Sequence, residues 1–347
     1  MMIVYITPIM VIIYKIVIIY NMIVVHAMLI LLVFSILLFY EHVCLPVYFL
    51  IFKFSRVQFC YLCLMNTIFD LQQYAFQVLK DTYEEREIRS LCSLIFQYTL
   101  HYTNIEIHLR KHEQLDKSFI NKFLQILEEL KTDRPIQYIL GETEFSGLCF
   151  KLNKNTLIPR PETEELVIRV IDSGLSAPAR FLDIGTGSGC IAIALAKQVG
   201  GLQAEGVDIS PEAVRQAKEN ARINGVTVDF YVRDILRWKE EEWPVYDVIV
   251  SNPPYVRFSE QRFMHDRVLK FEPGRALFVS DEDPLLFYRT IADFAKSHLR
   301  SGGTLFFEIN EAMGDEMVSL LSEMGFGSVK IEQDIHGKDR ILWAKMM

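Results

Sequence analysis

The chain has 347 residues, room for two domains or one large domain with an appendage, and it carries 36 Lys and Arg against 44 Asp and Glu, a formal charge of −8. That acidic balance argues against non-specific nucleic-acid binding, which needs dense positive charge. The cysteines, Cys44, Cys60, Cys63, Cys92, Cys149 and Cys190, show neither a paired framework nor zinc-ligand spacing, so a reduced, intracellular protein with no metal site is expected.

Residues 1–64 stand apart. Their formal charges are Lys15, Glu41, Lys53 and Arg56, a sum of +2 that leaves −10 for residues 65–347. The uncharged run from Ile16 to Tyr40 is 25 residues, long enough to span a bilayer, and it lacks the short apolar core and cleavage site of a signal peptide. A membrane anchor is the literal reading of this hydrophobic extension. The competing and preferred reading is an over-extended start: the Ile, Tyr, Phe, Met and Val crowding resembles translated AT-rich upstream sequence. Met65 then opens an amphipathic chain of 283 residues that is expected to fold and act alone.

From 65 to 132 the hydrophobic period is helical. Leu115, Phe119, Ile120, Phe123, Leu124, Leu127 and Leu130 fall on one stripe, as do Ile88, Leu91, Leu94, Ile95 and Tyr98 in the helix before, which predicts a small helical domain. Residues 133–158 break that period, and Gly141 and Gly147 punctuate β-favouring runs, which predicts a hairpin linker. Over 159–347, strand-like runs at 179–185, 202–210, 226–235, 246–252 and 302–310 alternate with helical stretches at 188–199, 211–223 and 284–299. Such alternation implies a parallel sheet with helices on both faces. Two last runs, 328–335 and 339–346, predict a terminal hairpin at the sheet edge.

The first of these strands ends in Asp183-Ile184-Gly185-Thr186-Gly187-Ser188-Gly189 and opens a helix. Glycines there let backbone approach a ligand, and the helix amides point into the same space. About twenty residues on, the second strand ends at Asp208, where a carboxylate can accept both hydroxyls of a ribose. Together these predict a nucleoside cofactor. The spacing D-x-G-x-G-x-G differs from the G-x-G-x-x-G that seats a pyrophosphate. An acid at Asp183 would repel a pyrophosphate and suits the cationic methionyl tail of S-adenosylmethionine. The third strand ends in Asp234-Ile235, where the acid is placed to take the adenine amino group.

Asn252-Pro253-Pro254-Tyr255 follows the fourth strand at the carboxyl edge of the sheet, where open α/β folds bind ligands. Proline fixes φ, restricts the residue before it and donates no hydrogen bond, so the segment is stiff and its carbonyls are free to accept. Asn252 Oδ1 and a Pro-Pro carbonyl match the two hydrogens of an NH2 group, with Tyr255 stacking on the planar system that bears it. An amide or nucleobase nitrogen is a poor nucleophile because its lone pair is delocalised. Holding both N–H bonds aims that lone pair at a sulfonium methyl, through proximity and preorganised electrostatics rather than a strong base.

These motifs, with RPIQYILGETEF, TLIPRPETEELV and FLDIGTGSGCIAIALA, make the chain resemble the HemK/PrmC family of peptide chain release factor glutamine methyltransferases over about residues 66–347. The glycine turn and Asn-Pro-Pro-Tyr are shared with other amino-methyltransferases; the segment 157–164 after a hairpin is the specific part. The resemblance implies an α/β fold, a Rossmann-like class I methyltransferase sheet, seven-stranded and mostly parallel, behind an N-terminal helical substrate-recognition domain. It implies S-adenosylmethionine as cofactor and, as substrate, the glutamine side-chain amide in the Gly-Gly-Gln loop of bacterial release factors, hence a cytoplasmic enzyme. It assigns Asp183, Ile184, Gly185, Thr186, Gly187 and Asp208 to cofactor contacts, with Asp234 and Ile235 flanking the adenine. It places Asn252 on both cofactor and substrate, Asn252 to Tyr255 around the glutamine amide, and catalysis on Asn252, Pro253 and Tyr255. Two departures are visible: Ile235 stands where an aromatic is common, and Asn310 where glycine is usual. The rival is a nucleic-acid amino-methyltransferase acting on adenine or guanine, which needs a basic groove that the −10 of residues 65–347 disfavours. No direct nucleic-acid partner is therefore expected, and membrane contact only if residues 1–64 are genuine.

Overall fold

The computed structural model describes residues 65–347; the hydrophobic extension 1–64, with both readings of it, lies outside the described residues. Among the described residues no helix is long and apolar enough to cross a membrane.

Five helices open the described chain: Ile68–Leu79, Glu85–Leu100, Asn104–Leu109, Lys117–Leu130 and Ile136–Leu140. Three of them, at Thr67, Thr103 and Asp116, start from side chains that satisfy the free amides of a first turn. Thr67 and Asp70 form a reciprocal capping box, and Asp116 accepts from the Ser118 and Phe119 amides at 2.7 and 3.1 Å. The apolar stripes close on each other, with the Phe96 and Phe123 rings stacked 5.2 Å apart. Full burial of a side chain of that size is worth about 1.5–3 kcal/mol. Of the stripe over 115–130, Phe119, Ile120, Phe123, Leu127 and Leu130 are buried, with Ile126 added, while Leu115 and Leu124 are half-buried against the same core. In Glu85–Leu100 the buried face is shifted: Cys92 and Phe96 are core, while Tyr98 is only half-buried. That helix meets partners on two sides, so its buried face is wider than one stripe. The helical period also runs further than expected, because Ile136 and Tyr138 bury one more turn before the hairpin begins.

The hairpin pairs β1 (Glu142–Phe145) with β2 (Leu148–Lys151). Its two-residue turn, Ser146-Gly147, has φ of 51° and 73°, the left-handed pair that matches strand twist. The remaining strands are β3 (Arg180–Ile184), β4 (Gln203–Asp208), β5 (Asp229–Val232), β6 (Tyr246–Ser251), β7 (Val256–Arg257), β8 (Phe278–Val279), β9 (Leu299–Glu308), β10 (Phe326–Gln333) and β11 (Asp339–Met346). Strands β7 and β8 make a small ribbon of their own. The other seven form one sheet in the order β10-β11-β9-β6-β3-β4-β5, parallel from β9 to β5 and antiparallel at β10 and β11. The seven-stranded, mostly parallel sheet and its terminal edge hairpin are thus as the sequence implied.

Alternation along the strands feeds two apolar layers. Phe181, Val248, Val250 and Phe306 pack on the Pro161–Asp172, Cys190–Val199 and Pro211–Asn224 helices. Leu182, Ile249, Leu305 and Phe307 pack on the Leu286–His298 and Gly314–Glu323 helices. The chain leaves β3 toward β4 and β5, and later returns to lay β6 on the other side of β3. The carboxyl ends of β3 and β6 therefore open a crevice at the point where strand order reverses.

Candidate functional site

On one wall of the crevice, β3 runs into the glycine turn. The Gly185 and Thr186 amides both donate to the Val207 carbonyl at 2.9 Å, which folds the turn over the end of β4. At Gly189 φ is 82°, and a Cβ would meet Ile193 at 2.9 Å and Phe230 at 3.1 Å, so only glycine lets the following helix pack this closely. Asp208 at the tip of β4 takes the Gly187 amide on Oδ2 at 2.9 Å and the Ser210 amide on Oδ1 at 2.8 Å. Each oxygen keeps a lone pair for a further donor. Burial raises the Asp208 pKa, opposed by those two amides and by the charge of Arg275. Asp234 caps the 3-10 turn Ile235–Glu240 through the Leu236 amide at 3.0 Å.

The opposite wall is built by β6. Its Ser251 pairs with Ile184 in register, and Ser251 Oγ donates to the Ile184 carbonyl at 2.7 Å. Asn252 is consequently set down beside the glycine turn. Its Nδ2 donates to Glu308 Oε2 at 2.9 Å and to Thr163 Oγ1 at 3.2 Å, while its Oδ1 accepts from no described residue. Thr163 in turn donates to Glu308 at 2.7 Å, and the Tyr255 hydroxyl donates to Glu308 Oε1 at 3.0 Å. Burial, and then the Glu308 charge, push the Tyr255 phenol well above its ordinary value.

Between the walls lies a cavity of about 510 Å³, within the usual range for small-ligand sites. It is lined by Ile184 to Ser188, Val207 to Ser210, Arg233 to Leu236, Ser251 to Pro254, the 155–160 loop and Phe287. A Cβ at Gly185 would lie 3.9 Å from the Asn252 carbonyl oxygen, so a side chain there would fill the gap between the walls. A bare glycine turn, the Asp208 acceptor and a mostly apolar gap ending at Asn252 fit a nucleoside joined to a short cationic tail. Of the residues expected here, Ile184, Gly185, Thr186, Gly187, Asp208, Asp234, Ile235, Asn252, Pro253 and Pro254 all reach the cavity.

Two expected residues are placed elsewhere. Asp183 is 0 % exposed beneath the turn, its Oδ2 accepting from the Thr186 hydroxyl at 2.6 Å, and it is absent from the lining. Burial pushes its carboxyl up to about 7, against the Thr186 hydroxyl and the Ala192 amide. Tyr255 sits against the apolar layer below the cavity, with its hydroxyl committed to Glu308. Neither lines this cavity: Asp183 is fully buried, whereas Tyr255 keeps part of its surface exposed.

Residues 70–141 match the PrmC N-terminal domain, and residues 163–272 match the Methyltransferase small domain. The release factor glutamine methyltransferase of Flavobacterium psychrophilum is 43 % identical over 270 residues, covering 77 % of this chain and 94 % of that protein. The enzyme of the same name from Bacteroides thetaiotaomicron is 42 % identical over 271 residues, covering 78 % and 97 %. The chain belongs to the release factor glutamine methyltransferase family. It is accordingly an S-adenosylmethionine-dependent methyltransferase. A solved methyltransferase from Pyrococcus furiosus is 18 % identical, covering 57 % of this chain and 89 % of that one at a TM-score of 0.43.

In this methyltransferase several site residues carry no motif that sequence reasoning used. Glu308 is the clearest: its only signal is a carboxylate closing an apolar strand run, and its partners are far off in the chain. The family-specific Pro-Arg-Pro stretch acts partly as a tie, because Arg160 pairs with the buried Glu272, which also accepts from the Ile158 amide at 3.3 Å. That tie closes the 155–160 loop over the cavity from the segment after Asn-Pro-Pro-Tyr. The same segment reaches the helical region, where Arg267 contacts Glu87 at 2.7 Å and Asp133 at 3.1 Å. Asn310, the departure from glycine, has φ of −67°, a conformation that needs no glycine. It donates to the Tyr255 carbonyl at 3.2 Å and to Glu260 at 3.1 Å.

Proposed function

We propose that this enzyme methylates the side-chain amide nitrogen of the glutamine in the Gly-Gly-Gln loop of bacterial peptide chain release factors. One observation carries the reading: the Ser251–Ile184 hydrogen bond puts Asn252 beside the glycine turn, so an amide acceptor and a nucleoside cradle share one cavity. The names of the relatives support the release factor as partner. When bound, S-adenosylmethionine supplies a methyl group on a positively charged sulfur. Gly185, Thr186 and Gly187 hold its tail by backbone, Asp208 accepts the ribose hydroxyls, and Asp234 with Ile235 flanks the adenine. Asn252 Oδ1 and the Pro253 carbonyl accept the two N–H bonds of the substrate amide, and Pro254 keeps the backbone stiff behind them. The nitrogen would gain the methyl as the methyl–sulfur bond breaks to leave a neutral thioether, and would release one proton to water. Catalysis comes from this fixed geometry and from acceptors placed where positive charge grows.

In this reading residues 65–132 recognise the release factor, 133–158 link, and 159–347 carry the chemistry. Arg267, reaching back to Glu87 and Asp133, supports a fixed spacing between the helical region and the cavity. The test is the intact mass of a release factor before and after incubation with enzyme and S-adenosylmethionine. A gain of one methyl, located by peptide fragmentation on the loop glutamine, is expected. Methylation of ribosomal RNA or DNA in place of the release factor would overturn it.

A further inference from the structure

Glu308 ends β9 and is 1 % exposed. Its neighbour Phe307 pairs with Ser251 across the parallel strands, so Glu308 and Asn252 leave the sheet side by side. Thr163 and Asn252 both donate to Oε2, and Tyr255 donates to Oε1. An ionised carboxylate only accepts, whereas a side-chain amide has one donating and one accepting end of nearly equal shape, exchanged by a half-turn. Against Glu308 only the donating end of Asn252 is favourable. The Thr163 hydroxyl proton is already spent on Glu308, so Thr163 too offers Asn252 only a lone pair.

We propose that Glu308 is the positioning residue that decides which end of Asn252 faces the cavity, turning Oδ1 outward and making the site select an NH2-bearing side chain over the isosteric carboxylate. The proposal rests on the role given above to Asn252. With Oδ1 outward, a glutamine amide meets an acceptor. A glutamate in the same place brings its own oxygen against Oδ1 with no proton between them, which leaves desolvated acceptors unpaired. Burial pushes the Glu308 carboxyl above its ordinary value, against the Thr163 and Tyr255 hydroxyls and the charge of Arg340, all of which favour the ionised form.

The experiment is Glu308→Gln in the full chain, an isosteric change that supplies both a donor and an acceptor and so frees Asn252 to turn over. Turnover is expected to fall about 10²-fold while S-adenosylmethionine affinity holds. A second readout is independent of turnover: the ratio of affinities for a release factor and for the same factor with its loop glutamine replaced by glutamate. The wild-type enzyme should favour the glutamine form, and Glu308→Gln should bring the ratio toward one. Glu308→Asp, which still only accepts, should keep the ratio even where its shorter reach lowers the rate. An unchanged ratio in Glu308→Gln would overturn the proposal. So would loss of cofactor binding together with a collapsed melting temperature, which would assign Glu308 to the core alone. A wild-type enzyme inert toward the release factor would instead sink the substrate assignment, and that control separates the two failures.

Discussion

The two walls of the cavity are built by different means. The glycine-turn wall is local: Asp208 and Gly187 are 21 residues apart, and the contacts that shape the turn are mostly backbone amides and carbonyls. The Asn-Pro-Pro wall is assembled over long range, since Thr163 meets Glu308 across 145 residues and Asn252 meets Glu308 across 56. A wall made of backbone needs few particular side chains and tolerates change around it. A wall made of converging side chains depends on every partner, because each buried polar atom that loses its mate is left unsatisfied.

The sharpest way to test this contrast is to damage the long-range wall and ask whether the local one notices. Asn252→Ala should cut methyl transfer by roughly 10²–10³-fold. Its S-adenosylmethionine affinity, read by calorimetry, should stay near wild type. A comparable loss of cofactor binding would show that the walls are not separable.

The floor of the glycine turn offers a pH test. Asp183 in the folded protein holds its proton up to about 7, above its unfolded value of 3.8. The folded state therefore binds the proton more tightly, and the stability this gives is full below about pH 4 and is lost as pH rises to about 7. Asp183→Asn cannot lose it, so its unfolding free energy should gain on wild type by on the order of 4 kcal/mol across that window and then run parallel. Parallel curves throughout would mean that Asp183 is ionised and compensated beneath the turn.

On the local wall itself, Asp208→Ala should weaken S-adenosylmethionine binding by roughly 1.5–3 kcal/mol, the scale of hydrogen bonds to a charged acceptor. Turnover at saturating cofactor should fall much less, and a dissociation constant equal to wild type would move the ribose elsewhere. The smallest effect is expected at Asn310→Gly, which removes the bonds to the Tyr255 carbonyl and Glu260 and adds backbone freedom. It should cost about 1 kcal/mol in denaturant unfolding. A neutral result would mean that Asn310 adds nothing to the rigidity of the tetrapeptide.

Much of this architecture could be read before any coordinates. The strand–turn–helix pattern at 179–199 and the acid at Asp208 are consequences of chain-local geometry: glycines where the backbone must pass close, a carboxylate where a strand ends. The helical stripes were equally legible, although the one over 85–100 missed Cys92 and Phe96 because a helix packed from two sides buries more than a single stripe. Asp183 and Tyr255 show the limit of that reading. Each lies within a motif, yet neither lines the cavity: the Asp183 carboxylate accepts from Thr186 beneath the turn, and the Tyr255 hydroxyl is committed to Glu308, a partner 53 residues away in the chain.

The sequence by itself determined the alternating β and α elements, the glycine turn with the acid Asp208 at the end of the next strand, and the stiff Asn-Pro-Pro after β6. Those features follow from torsional preference and periodicity, which act between near neighbours in the chain. Only the tertiary structure decided that β9 lies beside β6, and hence that Glu308 stands against Asn252 with Thr163 and Tyr255 gathered round it. Strand order is set by how two apolar layers are buried on one sheet, a property of the whole chain that no single segment encodes.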